Sequence, residues 1–343
     1  MSADSSLQDF IGQQTHRSFW AWMLSRQVFW VALAAVLACI ALSTLTSTFA
    51  TPQNLFNVTR NFAFVGIMAL GMTIVIISGG IDLSVGSTVL IAGVVTAVLM
   101  TSGLPLWVAM PAAVGACLFV GLVNGIFIAV LGMPPFVVTL GMMSIARSIG
   151  QVLTQNRMIY TFGPDQALLL SIGGGSQTIP LPFLDHLPIP NPLIVLVVLT
   201  IITSFVLRWT KWGRYVFALG GNEKAAVLTG VPVKTVKISV YMVAALAAGI
   251  TGFLETGWLG SVTNSLGSGL ELTVIAASVI GGANLAGGIG TALGAVVGAV
   301  LIEVIRNSLI LLGISTFWQG TFVGSFIVLA VAFDRLRNQE TSE

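Results

Sequence analysis

The chain is 343 residues long, 56% hydrophobic and only 8% charged, with a mean hydropathy of +0.98. An ordinary soluble domain carries roughly 25% charged residues, so that class is excluded, and the formal net charge of +2 says nothing of nucleic acid because the basic residues cluster by loop. Several runs approach or exceed the ~20 apolar residues that cross a bilayer, which makes the chain an all-α polytopic membrane protein.

Residues 1–27 read as a cytoplasmic tail in which Arg17 and Arg26 flank Trp20 and Trp22. Such a grouping suits an interfacial helix; a loose tail with a few anchors is the alternative. The first span is expected at 28–46 and, lacking a small-residue cleavage site, reads as retained. The linker 47–61 holds Pro52 and the helix-start signals Asn54 and Asn57. Spans two and three are expected at 62–78 and 84–101. Span four, at 106–131 with Asn124 as its strong polar group, is stopped by Gly132-Met133-Pro134-Pro135.

Span five, at 136–154, carries Arg147 near its outer end, where a long side chain snorkels to the interface. The polar stretch 155–191 contains Asp165, Asp185, His186, Pro180, Pro182, Pro188 and Pro190 and belongs outside hydrocarbon. Spans six (192–209) and seven (237–258) enclose a second polar stretch, 210–236. Span eight, 271–280, is short and precedes a glycine-rich run. Spans nine (290–311) and ten (317–333) complete the domain 28–333 before a charged tail at 334–343.

Orientation follows from the cytoplasmic bias of Lys and Arg. Arg208, Lys211, Arg214, Lys224, Lys234 and Lys237 fall between spans six and seven, with Arg335 and Arg337 after span ten. Placing these and the N-terminal arginines on one side requires an even span count. Ten spans satisfy it, with both termini cytoplasmic and 155–191 outside.

The chain is organised around Gly79-Gly80-Ile81-Asp82-Leu83-Ser84-Val85-Gly86, which interrupts a long apolar run. A carboxylate at membrane depth marks a functional or paired site, and irregular backbone there must be enclosed by protein or line a wet cavity. The stretch Gly281-Gly282-Ala283-Asn284-Leu285-Ala286-Gly287-Gly288 repeats it as GG-x-[DN]-L-x-x-G. Paired interrupted helices in two halves of a chain point to a transport pathway between them; coincidence in a chain with 38 glycines is the alternative. Asp82 reads as a helix cap for span three and also as a cavity-facing group, with Asn284 its uncharged counterpart. Thr73, Ser78, Asn124 and Asn284 are the polar pathway candidates. Glu303 and Arg306, three apart, are expected to pair, and Glu255 and Glu271, bracketing an external turn, to be solvated.

In the cytoplasmic stretch, Gly220-Gly221-Asn222 can cap a short helix from Glu223 to Thr229 stopped by Gly230 and Pro232. Its hydrophobic Val227, Leu228 and Val231 favour a docking helix over one lying on headgroups. Cys39 and Cys117 each stand alone in apolar runs, and His16 and His186 lie outside them, so no metal constellation follows. No G-x-x-x-x-G-K-[ST] loop occurs, nor a chain of buried acids fit for proton relay. Uphill transport therefore needs another chain to bind nucleotide.

The run Leu70-Gly71-Met72-Thr73-Ile74-Val75-Ile76-Ile77-Ser78-Gly79-Gly80-Ile81-Asp82-Leu83-Ser84-Val85-Gly86-Ser87 resembles the signature of the ribose/xylose-type permeases of bacterial ABC importers. The likeness extends to Pro134-Pro135-Phe136, to Gly281-Gly282 and Gly287-Gly288, and to the coupling segment from Ala218 to Val231, and so covers about residues 50–333. Within that segment Glu223-Lys224-Ala225-Ala226 stands where importers carry Glu-Ala-Ala.

The resemblance implies a two-fold permease with a second copy or a similar chain, in the bacterial inner membrane. It implies a cytoplasmic ATPase partner holding ATP and magnesium, and a periplasmic sugar-binding protein docking on 155–191 and the turn 258–271. No cofactor is expected in this chain. Asn222, Glu223, Lys224, Ala225, Ala226, Val227, Leu228, Thr229, Gly230 and Val231 would couple to the ATPase. Thr73, Ser78, Gly79, Gly80, Asp82, Ser84, Gly86, Asn124, Gly281, Gly282, Asn284, Gly287 and Gly288 would form the pathway and the broken helices. The cargo would be a pentose, hexose or related polyol. A stand-alone secondary carrier, with Asp82 as its ion-coupling group, is the rival reading.

Overall fold

The structure, a computed structural model, describes residues 27–178 and 188–315, with 318, 320–322 and 324–325 beyond them. Residues 1–26 of the expected tail 1–27, Asp185, His186, most of the expected tenth span 317–333 and the C-terminal tail lie outside the described residues. In chain order the helices are α1 (Gln27–Leu45), α2 (Pro52–Ile77), α3 (Val85–Thr101), α4 (Leu106–Ala129), α5 (Pro135–Leu153) and α6 (Gln166–Gly174). Two three-residue strands, β1 (Ser176–Thr178) and β2 (Pro188–Pro190), pair antiparallel, a small departure from an all-helical chain. Then come α7 (Asn191–Trp209), α8 (Lys211–Gly221), α9 (Glu223–Leu228), α10 (Val233–Leu259), α11 (Leu270–Ile280) and α12 (Ala292–Leu311). Among the described residues seven helices are long and apolar enough to cross a membrane, and α3 and α11 are shorter apolar helices.

The linker expected at 47–61 is mostly helix. Thr51 caps α2 by accepting the Asn54 amide at 3.4 Å, and Pro52 fills the first turn, where a missing N–H costs nothing. Of the polar residues that look like a linker, Asn54, Arg60 and Asn61 find partners on other helices, while Asn57 accepts from Arg60 of α2 itself at 3.0 Å. The Asn54 and Asn307 side chains exchange bonds of 3.1 and 2.9 Å, and the Asn61 amide donates to Glu303 at 3.1 Å. Arg60 lies 4.0 Å over the Trp258 ring. With those partners α2 runs for 26 residues, about 39 Å at 1.5 Å per residue. The expected Glu303–Arg306 pair is present at 3.6 Å.

Helices α2 and α10 form the centre, α10 lying against α2, α3 and α4. In lipid the hydrophobic effect does little to hold helices together, and close backbone approach does more. Gly121 and Gly125, one turn apart on α4, provide it: a Cβ on either would fall 2.6 Å from the α10 backbone at Tyr241 or Ile238.

Contacts divide the molecule into two ends. At one, Thr101 donates to the Thr161 carbonyl, Asp165 accepts the Leu106 amide at 2.8 Å to cap α4, and Ile159 bridges Val262. At the other, Ser78, Gly79, Gly80, Pro135, Glu223 and Lys237 surround one cavity of about 140 Å³. The stretches assigned to opposite faces of the membrane thus lie at opposite ends.

Two expectations about charged residues are corrected. Arg147 does not snorkel; it donates to the carbonyls of Asn264 at 3.1 Å and Leu266 at 2.7 Å. The turn before α11 is not external throughout. It descends beside α3, where a Cβ on Gly86 would meet the Gly267 carbonyl and the Glu271 carboxylate at 2.4 Å. Irregular backbone inside the bundle needs internal partners, and Arg147 supplies two. Glu271 and Glu255 are only partly solvated: both are half-buried, each with one carboxylate oxygen buried without a hydrogen-bond partner.

Candidate translocation and coupling site

The first break lies between α2 and α3. The chain leaves α2 through a left-handed Gly79 at φ +83°, with the Gly79 amide bonded to the Ile76 carbonyl at 2.9 Å and the Gly80 amide to Val75 at 3.0 Å. Such a glycine-terminated end satisfies carbonyls that the helix leaves open. Asp82 then accepts from the Ser84 amide at 2.8 Å and the Ser84 hydroxyl at 2.6 Å. The carboxylate is 1% exposed, and the Ser84 hydroxyl accepts in turn from the Asn124 amide at 2.9 Å. Asp82 therefore folds the approach to α3 two residues ahead of the position of an N-cap, which Ser84 occupies. Thr139 of α5 donates to the Ile81 carbonyl at 3.3 Å, closing the break against a second helix.

The second break, between α11 and α12, repeats these parts with one shift. Its left-handed glycine is Gly282 at φ +97°, the second of its pair where Gly79 is the first. Beyond it the register returns, for the Asn284 side chain accepts from the Ala286 amide at 2.8 Å as Asp82 does from Ser84. Asn284 is half-buried, and its loop closes on itself through bonds of its amide to the Ile289 carbonyl at 3.0 Å and of the Gly287 amide to the Asn284 carbonyl at 2.9 Å. The two breaks also meet, since the Gly288 amide donates to the Ile77 carbonyl at 2.8 Å.

Among the pathway candidates, Thr73 and Asn124 are buried, each with one side-chain oxygen lacking a partner, Oγ1 of Thr73 and Oδ1 of Asn124. Ser78 is half-buried and donates to the Val75 carbonyl at 2.7 Å. Gly86 lies against the segment before α11, and a Cβ on Gly281 would fall 2.0 Å from the Gly294 carbonyl. Sequence reading passed over Tyr241, whose buried hydroxyl lacks a partner and lies where a Cβ on Gly80 would come within 2.4 Å. A tyrosine in an apolar helix reads as core, so nothing in the sequence set it apart.

The coupling segment forms α9, capped at its start by Asn222, whose side chain accepts the Ala225 amide at 3.0 Å. Glu223 pairs with Lys237 of α10 at 2.7 Å. A separation of 14 residues gives no helical spacing to reveal that pair. Ala226 is buried, Val227 and Leu228 are 56% and 87% exposed, and Val231 is partly covered by the core. Lys224, Ala225 and Thr229 are exposed, and Gly230, at φ +79°, ends the turn with open space around it. The preceding helix α8 was not foreseen; its Val216 and Leu219 turn inward, and Trp212 donates to Ser239 at 2.7 Å.

Residues 54–331 match the family model described as the branched-chain amino acid transport system / permease component. The chain belongs to that family. It is 39% identical over 305 residues to a probable ABC transporter permease protein, y4mJ, of Sinorhizobium fredii, covering 89% of this chain and 88% of the relative. It is 36% identical over 315 residues to the ribose import permease protein RbsC of Escherichia coli, covering 92% and 94%. The L-arabinose ABC transporter permease protein AraH of Azospirillum brasilense matches at 32% over 299 residues, covering 87% and 85%. No solved structure matches. The permease is thus a multi-pass protein of the bacterial inner membrane.

Proposed function

We propose that this permease is the membrane subunit of an ATP-driven importer for a monosaccharide or related polyol. The ATPase is a separate cytoplasmic chain, and a periplasmic binding protein delivers the sugar. The observation that carries the reading is α9, a six-residue helix anchored to the bundle through buried Ala226 and the Glu223–Lys237 pair, with Val227 and Leu228 bare. Two large apolar side chains exposed on a capped, anchored helix suit a partner's cleft better than solvent. The relatives' names, ribose and arabinose permeases among them, support the cargo class.

In this reading ten spans per copy, two copies or a similar pair, and alternating access move the solute. The broken helices at 78–84 and 281–291 form the moving walls, with Ser78 and Asn284 facing the solute and Asp82, Ser84, Asn124 and Thr73 holding the wall from behind. Weak grip suits release, since affinity for the solute that is equal at every stage of the passage does not speed it.

The test is gentle extraction of a tagged permease from its native membrane, with identification of what comes with it. A co-purifying ATPase whose hydrolysis rises with a sugar-loaded binding protein is expected, and a panel of sugars then names the cargo. A chain that comes out alone and moves sugar into liposomes without ATP would overturn the reading and return Asp82 to the role of ion site.

A further inference from the structure

We propose that Gly220 is the joint through which α9 moves both breaks at once. It stands at the end of α8, and Asn222 both closes α8, its amide bonded to the Ala218 carbonyl at 3.1 Å, and caps α9. No slack separates Gly220 from the coupling helix. Gly220 lies so close to the last turn of α2 that a Cβ there would fall 1.7 Å from the Ile77 carbonyl oxygen and 2.6 Å from the Gly288 amide. From the other side, a Cβ on Gly287 would fall 2.6 Å from the Gly220 carbonyl. The Ile77 carbonyl is one of the open carbonyls at the end of α2, and Gly288 satisfies it. Gly220 therefore sits on the hydrogen bond that ties one break to the other, and all three meet backbone to backbone.

Contact of this kind transmits displacement with no side-chain rotamer to absorb it. On the side of the first break α9 has little direct support. The cavity of about 140 Å³ separates Glu223 from Gly79, Gly80 and Pro135, and the Glu223–Lys237 pair crosses its edge. Load applied to α9 is therefore shared by that pair, by the packing of Ala226 and Val231, and by Gly220, of which Gly220 alone touches both breaks. The neighbouring Gly221 is the natural control, because a Cβ there meets nothing within 4 Å.

The joint rests on the ATP-driven reading above, so the wild-type complex is measured first; without sugar-stimulated hydrolysis it is that reading which fails. Given a stimulated wild type, Gly220→Ala is expected to co-purify with the ATPase at wild-type yield. Its hydrolysis should no longer rise with the sugar-loaded binding protein, and its uptake should fall at least tenfold. Gly221→Ala should behave as wild type. Equal stimulation in Gly220→Ala and wild type, or equal loss in the two alanine variants, overturns the joint.

Because Gly220→Ala forces a backbone shift and can fail to assemble, spin labels provide a second measurement. They are placed at Gly221→Cys and Ala286→Cys, and separately at Ala286→Cys and Ser265→Cys, with Cys39 and Cys117 replaced by Ala. Across the ATP cycle the 221–286 distance should hold while the 286–265 distance changes. A changing 221–286 distance, or no change in either, overturns the proposal.

Discussion

The two breaks have the same purpose in the backbone and opposite relations to the rest of the molecule. At the first, a carboxylate is buried and bonded into a chain that runs from Asp82 through Ser84 to Asn124 on α4. At the second, a half-buried amide closes a loop upon itself. The helices that lead in differ as well. A full crossing, α2, enters the first, whereas an irregular descent and the 11-residue α11, about 16 Å long, enter the second. A repeat in sequence here preserves the turn and not the surroundings. The polar side chain of one break is bonded on to a neighbouring helix and that of the other only to its own loop.

The comparison can be broken most severely at Asp82. Asp82→Ala leaves the Ser84 amide and hydroxyl without their acceptor in a buried site, and a loss of about 3 kcal/mol is expected, read as a lowered midpoint of thermal unfolding in detergent. Arg147→Ala comes next. It strips the segment before α11 of two carbonyl partners and should cost about 2 kcal/mol, with faster amide hydrogen exchange confined to residues 260–270. Ser84→Ala keeps the Asp82 bond to the backbone but strands the Asn124 amide, for about 1–2 kcal/mol by the same measurement. Asn284→Ala should be mildest, at less than about 1 kcal/mol, because water reaches the amide it exposes. A loss at Asn284 equal to that at Asp82 would show that the second break also depends on its neighbours.

Nine of the ten expected spans coincide with apolar helices among the described residues, because long hydrophobic runs announce themselves by composition alone. The start of α2 was misread for a physical reason. Asn54, Arg60 and Asn61 look like linker until the partners on α10 and α12, far along the chain, are seen. Arg147, Glu255 and Glu271 were misplaced on the same ground, since sequence gives a charge without its surroundings. The GG-x-[DN]-L-x-x-G repeat was legible, though not that its left-handed glycine shifts by one place. The short helix α9 was legible from Asn222 and Gly230; its tether to Lys237 was not.

One modest contact bears on how the protein is made. The Gln27 amide donates to the carbonyls of Val279 and Ile280, closing the end of α11 across separations of 252 and 253 residues. The side chain thus completes a helix synthesised about 250 residues after it. The Val279 carbonyl already accepts from the Gly282 amide at 2.9 Å, so until then it is the Ile280 carbonyl that stays open at the end of α11, and an unsatisfied group in hydrocarbon costs on the order of several kcal/mol. Assembly of this permease therefore has a step that cannot precede synthesis of α11: the end of that helix is finished only when it packs back against α1.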